Sequence, residues 1–287
     1  MNQLNLFIEL TRLKKPIGYM LLFWPCAWGL TAAFNFSKNW NDYFLYLILF
    51  FLGSILMRSA GCIVNDIFDR KFDKKVSRTK DRPIASGKIT IQLGLIYSAL
   101  LCFLALLVLL NFNIFTIILA LGSMPLAFTY PLMKRFTYWP QLFLGITFNY
   151  GLILGWTSIH AQINIAPIIL YTGAIFWTLA YDTIYGFQDI KDDEIIGLKS
   201  TSIKFKKNPL IFLIICYSIF ISSLILTGYM MSFNNLYYFV LLLVFFQLFL
   251  YQITNLNIGD KSNCLKIFKS NNFLGLLVFL SLLTGKL

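Results

Sequence analysis

Of the twelve Asp and Glu residues in this 287-residue sequence, all but Glu9, Asp42 and Asp260 fall in two short windows. The first is Asn65-Asp66-Ile67-Phe68-Asp69-Arg70-Lys71-Phe72-Asp73, with Asp81 following. The second runs from Asp182 through Tyr185, Gln188, Asp189, Asp192 and Asp193 to Glu194. At about 100° per residue, a helix places Asn65, Asp66, Asp69 and Asp73 within an arc of about 100°. Asp182, Asp189 and Asp193 fall within about 40°, with Tyr185 beside them, if that helix continues. Like charges one turn apart repel as bare anions, so two carboxylate stripes predict divalent cations. Hard oxygen donors with no His or Cys nearby select magnesium over zinc or copper, and magnesium is typically completed by substrate phosphates. Basic residues downstream fit that chemistry: Arg78, Lys80 and Arg82 after the first window, Lys199 and Lys204 after the second. They are suited to hold phosphate oxygens and to stabilise a departing diphosphate. One such window alone reads as a solvated surface, but the repeated D-x-x-x-D spacing favours the chemical reading. A structural calcium site is disfavoured because the acids are helical rather than on a flexible loop.

The elements that carry these windows are set by composition. Hydrophobic residues make up 58% of the chain and charged residues 13%, with mean hydropathy +0.72. A soluble domain needs about a quarter of its residues charged. Together with long apolar runs, this excludes a soluble globular enzyme, a disordered chain and a secreted disulfide scaffold. The five cysteines are scattered without paired spacing and His160 stands alone, which removes most zinc-site patterns. Nine apolar runs approach the roughly 20 residues that cross a bilayer: Ile17–Phe36, Tyr43–Val64, Ile91–Leu110, Ile114–Tyr130, Gln141–Ile159, Ile165–Tyr185, Leu210–Met231, Leu236–Thr254 and a short last one, Asn271–Gly285.

The net charge of +12 is a topology signal rather than a nucleic-acid footprint. With the N-terminus and every second loop on one side, that side holds all basic residues except Lys38, Arg58 and Lys286. The positive-inside rule makes that side cytoplasmic, and both acidic windows lie there, at the ends of spans. The first residues show neither a cleavage signal nor an Arg/Ser-rich transit segment, which favours a bacterial inner membrane. No linker or low-complexity run divides residues 1–287, so one domain is expected.

The motifs also carry a resemblance. Asn65 to Asp73, followed by Arg78-Thr79-Lys80-Asp81-Arg82-Pro83-Ile84-Ala85-Ser86-Gly87, resembles the signature of the UbiA family of intramembrane aromatic prenyltransferases. Lys134-Arg135-Phe136-Thr137-Tyr138-Trp139-Pro140-Gln141 and the stretch from Tyr181 to Asp193, running on to Lys199-Ser200-Thr201, resemble its 4-hydroxybenzoate branch. The resemblance implies an all-α polytopic membrane bundle of about nine helices around a central cavity, capped by cytoplasmic loops. It also implies magnesium, a polyprenyl diphosphate, and transfer of the prenyl chain to 4-hydroxybenzoate beside the hydroxyl, an early step of ubiquinone biosynthesis. By the same resemblance, Asn65, Asp66, Asp69 and Asp73 form the first metal and diphosphate motif, and Asp189 and Asp193 the second.

The expected substrate contacts are Arg58, Asn65, Asp66, Arg78, Arg82, Lys134, Arg135, Asp182, Tyr185 and Lys199. Asp69, Asp73, Asp189 and Asp193 carry catalysis. Arg58 lies inside a span, where an unpaired charge is costly; holding the benzoate carboxylate and pairing with a motif acid are equally good readings. Two alternatives stand beside this one: another acceptor (a naphthoate, haem or homogentisate), and a membrane transporter. A transporter would place acids deep within spans rather than at their ends beside basic loops.

Overall fold

The computed structural model describes residues 2–37, 40–76 and 79–287, and its described elements are helical throughout. A short α1 (Gln3–Thr11) precedes α2 (Ile17–Ala33), α3 (Trp40–Asp73), α4 (Ile91–Leu109) and α5 (Ile114–Thr129). A 3₁₀ segment, Tyr130–Arg135, leads to α6 (Pro140–His160) and α7 (Ile165–Gly186). Two short helices, α8 (Ile190–Ile195) and α9 (Thr201–Lys204), connect to α10 (Pro209–Met230). Next comes α11 (Asn235–Phe245), which continues as a π-helical segment, Phe246–Ile253, and α12 (Lys261–Lys286) closes the chain. Among the described residues, eight helical segments are long and apolar enough to cross a membrane, and α2, at 17 residues, is a shorter apolar helix. Each of the nine expected runs therefore falls on a helix, and the chain is a multi-pass membrane protein.

Helix α3 runs well past its expected end at Val64. At 1.5 Å per residue, its 34 residues extend about 51 Å, against a hydrocarbon core of about 30 Å. The acidic window is thus the continuation of a membrane-crossing rod, which fixes its carboxylates in helical register. Helix α12 likewise starts earlier than the apolar run, at Lys261. The Asp260 side chain caps it by accepting from Ser262 N–H, and hydrogen bonds from Ser262 and Asn263 hold this carboxyl below its ordinary pKa.

Lipid tails are as apolar as Leu, so close packing and internal hydrogen bonds must hold the helices together. Helices α2 and α6 meet through Gly29, Gly151 and Gly155: a Cβ on Gly29 would overlap the Leu152 carbonyl, and one on Gly155 would lie 2.6 Å from Leu30 N. Three indoles latch α12. Trp24 donates to Asn272 Oδ1 at 2.9 Å, Trp28 to the Gly275 carbonyl at 3.0 Å and Trp177 to Asn271 Oδ1 at 2.8 Å. The buried Gln252, in the π-helical segment, joins Asn271 to Tyr217, whose hydroxyl donates to Gln252 Oε1 at 2.6 Å.

Candidate active site

The last turns of α3 present Asp66, Asp69 and Asp73, all buried, with relative exposures of 2%, 2% and 7%. Each carboxylate meets a cation from another part of the chain. Arg12 Nη2 lies 2.5 Å from Asp66 Oδ1, and Arg82 Nη1 lies 3.1 Å from the same oxygen. Arg82 Nη1 also reaches Asp73 Oδ2 at 2.9 Å, and Lys134 Nζ reaches Asp69 Oδ2 at 2.5 Å. Asp69 Oδ1 is buried without a hydrogen-bond partner, and its neighbour Arg135 Nη2 stands off at 3.8 Å. Arg135 instead donates to the Phe68 carbonyl at 2.9 Å and lies over the Phe72 ring. Asn65 is half-buried at the start of the same stripe.

The loop after α3 brings Arg82 back over the helix end. Thr79 Oγ1 donates to the Asp73 carbonyl at 3.1 Å, and successive turns run through Val76, Thr79 and Arg82. Arg78, expected at the diphosphate, lies outside the described residues. Arg12 was not among the expected contacts, because 54 residues separate it from Asp66 and it reads locally as one of several basic residues flanking a span. It sits at the end of α1 with φ of 57°, and its Nη1 also meets Cys62 Sγ at 3.4 Å. Burial opposes its charge, but Cys62 and Asp66 outweigh that and hold the guanidinium above the ordinary arginine pKa.

The second window departs from the single stripe. Helix α7 ends at Gly186, where Phe187, Gln188 and Asp189 donate to carbonyls three residues back, and a new short helix begins with Asp189 at its N-cap position. Asp182 therefore belongs to α7, whereas Asp189 and Asp193 belong to α8, joined by Asp193 N–H to the Asp189 carbonyl at 2.9 Å. The cause is the packing of α9 on the end of α7. Gly186 leaves no room for a side chain against Ser202, Ser202 Oγ donates to the Thr183 carbonyl at 2.7 Å, and Thr183 and Thr201 hydroxyls bond at 2.6 Å. Gln141 Oε1 accepts from Thr201 N–H at 3.0 Å, tying α6 to the same junction.

Asp182 on α7 and Arg58 on α3 are electrostatic neighbours, with Tyr130 beside Arg58. Arg58 makes no ion pair among the described residues; its guanidinium lies over the Phe148 ring, 5.3 Å from the centroid. The Tyr185 ring packs on Phe268 with centroids 4.6 Å apart. Lys199, between α8 and α9, is tied to the segment before α6, its Nζ donating to the Phe136 carbonyl at 3.2 Å and its backbone N–H to the Lys134 carbonyl at 2.9 Å. Among the described residues, no group of three or more acids, His or Cys stands in metal-holding geometry. The first-window carboxylates are instead closed onto cations.

The chain matches the UbiA prenyltransferase family model over residues 22–283. It is 43% identical over 284 residues to the mitochondrial 4-hydroxybenzoate polyprenyltransferase of Homo sapiens, covering 98% of this chain and 75% of that one. To the enzyme of the same name from Drosophila melanogaster it is 41% identical over 282 residues, covering 98% and 71%. Among solved structures it is similar to a UbiA homologue from Aeropyrum pernix K1, with TM-score 0.77 and 20% identity, covering 94% of this chain and 99% of that one. It is also similar to a homologue from Archaeoglobus fulgidus bound to GPP and Mg2+, with TM-score 0.71 and 17% identity, covering 97% and 99%.

Proposed function

The chain belongs to the UbiA prenyltransferase family, and from that premise we propose how its residues transfer a polyprenyl group from polyprenyl diphosphate to 4-hydroxybenzoate, an early step of ubiquinone biosynthesis. The observation that carries this reading is the buried stripe Asp66–Asp69–Asp73 set against cations from three segments, in a chain more than 40% identical to enzymes of that name. The whole of residues 1–287 is taken as one prenyltransferase domain. The acidic ends of α3 and α7 are assigned to the face that carries the basic loops, the cytoplasmic face of a bacterial inner membrane. The named relatives are mitochondrial, and the charge asymmetry supports the same acid-bearing face in either setting.

The donor set fits magnesium. All candidate ligands are hard oxygens, and the buried Asp69 Oδ1, with no hydrogen bond and Arg135 Nη2 only at 3.8 Å, is an anionic oxygen able to take a cation. Asp66, Asp69 and Asp73 with Asn65, and Asp189 with Asp193, would hold it. When bound, magnesium supplies charge neutralisation of the leaving diphosphate. Arg82, Lys134 and Arg135 orient the diphosphate oxygens and stabilise the negative charge as the leaving diphosphate takes the electron pair of the breaking carbon–oxygen bond, with Arg78 and Lys199 as further cationic contacts. The apolar walls of the helices exclude water from the allylic cation, beside which Tyr185 offers a ring face. The ring carbon ortho to the acceptor hydroxyl forms the new bond, and its proton passes to a carboxylate or to the diphosphate. Asp182 and Arg58 mark the acceptor's end of the site.

Membranes containing the chain, given 4-hydroxybenzoate and geranyl or a longer prenyl diphosphate, are expected to form prenylated hydroxybenzoate with magnesium and none after chelation. Failure with every chain length, in membranes shown to hold folded protein, removes the acceptor assignment, and other aromatic acceptors are then screened. Arg58→Ala is expected to raise the KM for 4-hydroxybenzoate about tenfold, roughly 1.4 kcal/mol. Its lack of an ion pair among the described residues leaves its charge for the substrate carboxylate. An unchanged KM would free Arg58 of that role.

A further inference from the structure

Among the described residues, three carboxylates at the end of α3 are in direct contact with Arg12, Arg82 and Lys134, and the two sets differ in side-chain length and exposure. Asp66, Asp69 and Asp73 are short side chains fixed on one helix and buried. Arg12, Arg82 and Lys134 are long side chains, 22–27% exposed, reaching in from the α1–α2 turn, the loop after α3 and the 3₁₀ segment. A carboxylate stripe so buried needs positive charge at all times, because an uncompensated buried charge is strongly destabilising. The cations supply it here: Arg12, Arg82 and Lys134 in direct contact, and Arg135 3.8 Å from Asp69 Oδ1.

We propose that Arg12, Arg82 and Lys134 are exchange partners. Without substrate they occupy the carboxylates that magnesium must take, and with substrate they move onto the diphosphate, so that metal and diphosphate bind cooperatively and Arg12 becomes a diphosphate-binding residue outside both acidic motifs. This rests on the metal and diphosphate roles given above to the α3 carboxylates.

The charge balance supports the exchange. Magnesium alone would add two positive charges to a cluster whose carboxylates are already compensated and push the cations out toward one another. Diphosphate alone would find its cations already engaged. Together the two ligands nearly cancel, and every charged group gains a partner. Geometry supports it as well: Arg12 and Arg82 converge on the one oxygen Asp66 Oδ1, and Arg82 spans Asp66 and Asp73 through a single nitrogen. A cation that bridges two carboxylates holds a position between two ligands of the metal. Since linkage is reciprocal, whatever factor the diphosphate adds to metal affinity, the metal adds to diphosphate affinity.

The test uses the full chain in nanodiscs, with Mn2+ as a spectroscopic stand-in for magnesium and geranyl diphosphate without acceptor. Arg12→Gln and Lys134→Gln are expected to bind Mn2+ alone about tenfold tighter than wild type, because each removes one cation competing for a carboxylate, and to bind geranyl diphosphate at saturating Mn2+ about tenfold more weakly. Arg12→Lys, which keeps the charge, should bind Mn2+ alone as wild type does. Thermal melting confirms that each variant is folded. If both Gln variants bind Mn2+ alone no tighter than wild type, while Asp69→Asn and Asp73→Asn bind it more weakly, the exchange is wrong and the metal assignment stands. If the two Asn variants bind Mn2+ as wild type does, the metal assignment fails and takes the exchange with it.

Discussion

Asp69→Asn is expected to lower prenyl transfer by about a thousandfold, roughly 4 kcal/mol of transition-state stabilisation, while the chain still inserts and folds. Asp69 is 2% exposed; one of its oxygens meets Lys134 and the other has no hydrogen-bond partner. An asparagine retains one oxygen that can accept from Lys134, so the local fold keeps its main contact. What disappears is the negative charge, and with it the carboxylate's pull on a divalent cation and its hold on the cationic groups that face the diphosphate. The cost to folding should be small, about 1 kcal/mol, because the Lys134 side chain is 27% exposed and can turn its ammonium toward water. Turnover with saturating magnesium, measured beside the melting temperature of the same preparation, separates the two effects. Activity within tenfold of wild type would remove Asp69 from the metal and diphosphate site.

Gly29→Ala should do the opposite, abolishing the folded protein rather than the chemistry. At this point α2 and α6 touch backbone to backbone, so an added methyl meets the Leu152 carbonyl rather than a side chain able to rotate away. Gly155 faces the Cys26 carbonyl and Leu30 N–H in the same crossing, which makes the contact reciprocal. Overpacking in a core costs about 1–3 kcal/mol when side chains can yield; with backbone on both sides the cost should exceed about 3 kcal/mol. In lipid no hydrophobic term drives helices together to offset it. Gly122→Ala is the control, since nothing lies within 4 Å of a Cβ there; it should be neutral or slightly stabilising, because alanine is the better helix former. Melting of the purified proteins in one detergent compares them. A Gly29→Ala protein melting with the Gly122→Ala protein would show that the α2–α6 crossing can relax.

Helix α2 precedes the α3 stripe in the chain and α1 carries Arg12 up to it, so a fault in the α2–α6 crossing would also reach the site. The two experiments therefore probe one assembly from its chemical and its mechanical end. Activity lost with the fold intact points to the carboxylates, whereas activity lost with the fold points to the packing around them.

The membrane class, the helices on which all nine apolar runs lie, and the stripe Asn65, Asp66, Asp69 and Asp73 were legible in the residues alone. They were so because apolar length and helical periodicity are local properties, readable within about twenty residues. The family was legible for the same reason, since its motifs are contiguous. Which cations close the stripe depends on long-range packing. Arg12 is 54 residues from Asp66 and Lys134 is 65 from Asp69, and nothing in their local spacing joins them. Packing also sets the break in the second acidic window after Gly186. Periodicity alone would have continued α7 through Asp193, but the packing of Ser202 and Thr201 against its last turn ends the helix and turns Asp189 and Asp193 onto a separate one. Long-range pairing of charges and the docking of one helix end on another depend on how the elements cross, and crossing is settled by contacts such as Gly29 on Leu152 that no single segment contains.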